Sequence, residues 1–84
     1  MTNIDEEAIK IIAKVSQKNP GEITNNMKLF EDLGLDSMKG TEILARFADK
    51  FGLEVEDSIL GKIFTVNDAL NLLKKKQQKK GAGK

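Results

Sequence analysis

The chain has 84 residues with neither cysteine nor histidine, a hydrophobic share of 39%, and 14 basic against 13 acidic residues. Such a composition describes one small globular domain with a single core, and it excludes disulfides and the usual zinc and transition-metal ligand sets. The near-zero sum hides an asymmetry: Lys74, Lys75, Lys76, Lys79, Lys80 and Lys84 crowd the last stretch, while 8 basic residues stand against all 13 acids before it.

Taken in chain order, Asn3 or Asp5 is placed to cap a first helix in which Ile4, Ala8, Ile11, Ile12 and Val15 recur at helical spacing. Asn19-Pro20-Gly21 breaks it, so it should end near Lys18. A long crossing loop from Glu22 to Asp36 follows, pinned to the core by Ile23, Met27, Leu29, Phe30, Leu33 and Leu35. Asp36 fits the N-cap position of a second helix, expected from Ser37 to Phe51 with Gly52 as its C-cap, and Leu44, Phe47, Ala48 and Phe51 lie on its inner face beside Ile43. Glu54 to Gly61 has room only for a short helix or turn, with Val55, Ile59 and Leu60 inward. Thr65 then caps a last helix, with Asp68 three residues on and Val66, Ala69, Leu70 and Leu73 at helical spacing.

The expected fold is therefore all-α: a compact up-and-down bundle of three main helices plus one short helix, with a long loop between the first two. Residues 1–73 form the domain. Residues 74–84 read as a frayed helix end passing into disorder, either a solvating extension or a contact for nucleic acid or an anionic membrane. No aromatic residues interleave the lysines, which weighs against nucleic acid. The first ten residues lack an apolar signal core and no stretch of 18 apolar residues occurs, so the expected compartment is the cytoplasm, without stable membrane association.

The chemistry concentrates at Gly34-Leu35-Asp36-Ser37-Met38. A serine in the first turn of a helix points outward, and an anion attached to its hydroxyl would sit at the positive end of the helix dipole. An Asp-Ser pair at a helix start is also an ordinary cap and first-turn residue. Elsewhere the means for catalysis are thin, with no histidine, no Gly-x-Ser-x-Gly turn and no glycine-rich phosphate loop. Asp32, Asp36, Glu54, Glu56 and Asp57 lack the spacing of a calcium loop and read as surface charge.

With that motif, the lead-in Leu29-Phe30-Glu31-Asp32-Leu33-Gly34, Glu42 five residues after the serine, and Ile63-Phe64-Thr65-Val66 before the last helix, the chain resembles the acyl carrier proteins from about Ile4 to Leu73. The resemblance implies a non-enzymatic carrier. Ser37 would bear 4′-phosphopantetheine drawn from coenzyme A, flanked by Asp36 and Met38, and acyl groups would ride its thiol as thioesters. The implied partners are a phosphopantetheinyl transferase and acyl-transferring or acyl-modifying enzymes, with the chain a monomer. These would dock on a face of Met38, Glu42, Asp49, Glu56 and Asp57. An acyl chain would be sheltered by Phe30, Ile43, Leu44, Phe47, Ile59, Ile63 and Ala69, with Glu56 to Gly61 as the movable wall. The same residues also read as plain core.

Departures from the family pattern bear on the pathway. Lys39, Arg46 and Lys50 interrupt the acidic face of the second helix, which favours a specialised lipid or polyketide route over housekeeping fatty-acid synthesis. Gly40 either eases close approach to the serine or is a tolerated surface glycine. Two other classes remain open at this point: an unmodified carrier-like scaffold or regulatory domain, and a nucleic-acid or membrane-surface protein using the lysine tail.

Overall fold

The computed structural model describes residues 4–82, with the backbone alone at Asp57 and at residues 77–82. Three helices carry the fold: α1 (Ile4–Ser16), α2 (Ser37–Phe51) and α3 (Val66–Ala82), joined by a 3₁₀ turn at Pro20–Glu22 and a short 3₁₀ helix at Asp57–Gly61. α1 packs on both α2 and α3, and the short 3₁₀ helix packs on α2. The molecule is an all-α bundle. Its centre is Phe47, Ile12, Leu44, Leu73 and Val66, each almost wholly buried. The Phe47 and Phe51 rings meet tilted, with centroids 6.0 Å apart.

α1 stops at Ser16, two residues short of Lys18, because Gln17 takes a left-handed conformation with φ 62°. The Lys18 N–H then donates back to the Ala13 carbonyl, and the Ser16 hydroxyl donates to that of Ile12. Asp5 lies inside the first turn of α1 and so is not its cap; Asn3 lies outside the described residues. Instead, one Asp5 carboxylate oxygen pairs with the Lys74 ammonium at 3.2 Å, tying α1 to α3.

Lys74 is bound to the body of the domain, and the α3 backbone remains helical to Ala82 where a frayed end was expected. Lysine and glutamine are good helix formers, and cations suit a helix C-terminus. Lys84, counted in the same stretch, lies outside the described residues.

The long loop is held by its backbone as much as by its apolar residues. The Leu29 N–H donates to the Phe64 carbonyl, Val66 N–H to Met27, and Asn67 N–H to Asn25, around an isolated antiparallel bridge between Lys28 and Thr65. Ile23, Leu29, Leu33 and Leu35 are buried as expected. Phe30 is not: it remains 39% exposed at the loop surface.

Candidate functional site

The loop reaches α2 through a closed turn. The Asp32 and Leu33 N–H groups donate to the Lys28 carbonyl, while the Asp32 carboxylate accepts from the Lys28 N–H at 2.8 Å. Asp32, read from the sequence as plain surface charge, thus organises the approach. Gly34 follows at φ 69°, a left-handed conformation that costs glycine nothing, and it turns the chain so that Leu35 is buried and Asp36 meets the helix.

Asp36 caps α2 as expected. Its backbone is extended, its Oδ1 accepts from the Lys39 N–H at 2.9 Å, and its carbonyl accepts from the Gly40 N–H at 2.8 Å. Ser37 is the first helical residue and exposed; Met38 beside it is 80% exposed. The first turn of α2 holds no acidic residue, so nothing beyond the capping carboxylate offsets the positive end of the helix dipole. An exposed hydroxyl there fits a phosphodiester: the group would lie in water, beside unpaired helix N–H groups, with Lys39 two residues on.

Gly40 is not a surface glycine. It is buried, and a Cβ built there would stand 2.9 Å from Leu60 Cδ2 and 3.7 Å from the Phe30 ring. Its missing side chain lets the short 3₁₀ helix close against α2. This role was hidden in the sequence because Leu60 lies so far along the chain.

The expected docking residues fall into different states. Glu42 and Asp49 are both exposed on α2, yet Glu42 Oε2 accepts from Arg46 Nε at 3.1 Å and from Nη2 at 2.9 Å. Arg46 therefore covers Glu42, and Lys50 turns away to Glu7 of α1 at 3.2 Å. Glu56 is exposed and accepts from the Ser58 hydroxyl at 3.4 Å; the side chain of Asp57 lies outside the described ones.

Of the expected acyl-lining residues, Phe30, Ile43, Ile63 and Ala69 surround one small cavity, together with Gly40 and Leu60. Leu44 and Phe47 are packed into the core instead, and Ile59 faces a separate groove beside α3. The cavity measures about 10 Å³, at the lower limit for a single water, ~10–15 Å³. It is closed to an acyl chain unless the 3₁₀ helix moves.

One further feature, at the surface, escaped the sequence reading, while the cap of α3 expected from Thr65 and Asp68 is present in full. Phe64, 63% exposed, borders a surface hollow of about 70 Å³ with Phe30, Lys28 and Glu31. Thr65 and Asp68 form a reciprocal cap on α3, the Thr65 hydroxyl accepting from the Asp68 N–H at 3.1 Å and Asp68 Oδ2 accepting from the Phe64 and Thr65 N–H groups at 2.9 and 3.2 Å. The bond from Phe64 N–H, then that from Thr65, holds the Asp68 carboxyl below its ordinary pKa. Among the described residues no cluster of acids has the arrangement of a metal site, and no helix is long and apolar enough to cross a membrane.

Residues 6–73 match the family model described as "Phosphopantetheine attachment site". The chain is 39% identical over 72 residues to an acyl carrier protein of Rickettsia bellii (strain OSU 85-389), covering 86% of this chain and 89% of that one. It is 33% identical over 75 residues to an acyl carrier protein of Bradyrhizobium sp. (strain ORS 278), covering 89% and 95%. The crystal structure of an acyl carrier protein from Thermotoga maritima superposes with a TM-score of 0.74 at 23% identity, over 94% of this chain and 98% of that one, a likeness of fold.

Proposed function

The chain belongs to the acyl carrier protein family, whose members are non-catalytic carriers of 4′-phosphopantetheine, and on that premise we propose that Ser37 bears the group. The prosthetic group supplies a thiol, on which acyl groups travel as thioesters. The protein's own residues do the rest: Asp36 fixes the start of α2, Ser37 offers an accessible hydroxyl, and the helix N-terminus favours the phosphodiester.

The observation that carries this reading is the position of Ser37: exposed, first in α2, and directly behind a capping aspartate. Incubation with coenzyme A and a broad-specificity phosphopantetheinyl transferase should add one prosthetic group by mass, and Ser37→Ala should abolish the gain. An unchanged mass in the wild type overturns the assignment and leaves an unmodified scaffold, and a gain that survives Ser37→Ala overturns it by putting the group on another residue.

Family members are served by the transferase and by acyl-transferring enzymes. For this chain the reading places residues 1–73 as the carrying unit, working in the cytoplasm, with docking on Met38, Glu42, Asp49, Glu56 and Asp57. Because Arg46 covers Glu42 and Lys39 stands in the first turn, a partner built only for an acidic helix meets a mixed face. That supports a dedicated lipid or polyketide pathway over housekeeping fatty-acid synthesis.

A further inference from the structure

Away from Ser37, a groove of about 430 Å³ runs between the short 3₁₀ helix and α3. Ile59, Ile63 and Leu72 line it with aliphatic surface, and Lys62, Lys75 and Lys76 contribute three ammonium groups. The α3 members follow one helical stripe, since residues 68, 71, 72, 75 and 76 recur at spacings of three, one, three and one.

Three of the protein's cations converge on this groove. Arg46, Lys50 and Lys74 are each neutralised by a carboxylate of α1 or α2. Among the described residues Lys62, Lys75 and Lys76 have no carboxylate within 4.0 Å, and Asp68, the acid that lines the groove, directs one oxygen to the Phe64 and Thr65 N–H groups. The lysines therefore keep their charge for an outside partner. The volume and the aliphatic floor suit inserted side chains, while free cations at the edge suit acidic ones.

We infer that the groove between the 3₁₀ helix and α3 is a docking surface for an acidic amphipathic helix of a partner protein, with aliphatic side chains on Ile59, Ile63 and Leu72 and carboxylates on the three lysines. Its cationic edge differs from the mixed charge of the α2 face, so the two surfaces suit different partners. The assignment is independent of Ser37 loading.

A synthetic helical peptide of about 18 residues, leucine at i, i+3, i+4 and i+7 and glutamate on the other face, serves as probe. In the unmodified wild-type protein and in Ser37→Ala alike, it should perturb the amide signals of Ile59, Lys62, Ile63, Leu72, Lys75 and Lys76. The exposed-charge variant Lys62→Glu/Lys75→Glu/Lys76→Glu, with its folding checked by circular dichroism, should weaken binding about tenfold or more. The same peptide with lysine for glutamate should not bind. Perturbations centred on α2, spread evenly over all lysines, or unchanged in the triple variant overturn the proposal. So does a groove that ignores the peptide but binds phosphatidylglycerol vesicles through the same lysines, which would assign it to a lipid surface.

Discussion

Leu60 Cδ2 lies where it does because Gly40 has no side chain: a Cβ on Gly40 would stand 2.9 Å from it. The contact joins α2 to the 3₁₀ helix at one residue pair. An alanine in a helix interior gains about 1 kcal/mol over glycine, and here the forced rotation of Leu60 opposes that gain. Gly40→Ala should therefore leave stability within about 0.5 kcal/mol, whereas the same change in a Leu60→Ala background should stabilise by about 1 kcal/mol. Chemical denaturation of the four proteins measures the coupling, and equal effects of Gly40→Ala in both backgrounds would refute it.

The cap of α3 gives a pH-dependent outcome. Asp68 has a lowered pKa in the folded state relative to its ordinary 3.8, so its contribution is full above that value and is lost as pH falls through the folded pKa. Asp68→Ala should destabilise at pH 7, and the gap to the wild type should narrow below pH ~4. Thr65→Ala, which removes the other half of the cap, should cost about 1 kcal/mol across that range. Melting curves at several pH values separate the two.

On α2, Arg46 competes with any partner for Glu42. Exposed charge changes alter stability by about 0.5 kcal/mol or less. Glu42→Lys should slow association with a basic transferase surface, and Arg46→Ala should speed it, both effects shrinking at high salt. Stopped-flow association rates test this; identical rates in all three proteins would move recognition away from Glu42.

Cargo burial requires the cavity near Gly40 to grow from about 10 Å³. Loading a medium-length acyl group should shift the amide signals of α2, the 3₁₀ helix and the start of α3 together. Shifts confined to the neighbours of Ser37 would place the cargo in solvent.

Helical periodicity made α2 legible to the residue, because its cap, apolar face and C-terminal glycine agree. The end of α1 was less so, since the left-handed Gln17 carries no compositional signal. Asp36 and Ser37 were visible as a local motif. The roles of Gly40, Asp32 and Lys74 depend on partners fixed by packing or by a turn, to which spacing along one helix gives no access. Phe30 and Phe64 look like core residues by type; only the folded loop reveals that both reach the surface.

The backbone bonds from Leu29 to Phe64, Val66 to Met27 and Asn67 to Asn25 fasten together two segments that enclose all of α2 and the short 3₁₀ helix. Such a fastening forms only after distant parts of the chain have met, which places it late and makes it cooperative. Residues 25–29 and 64–67 should then exchange their bonded amide protons for deuterium at one common rate, and no slow opening of the serine loop should occur without release of the first turn of α3.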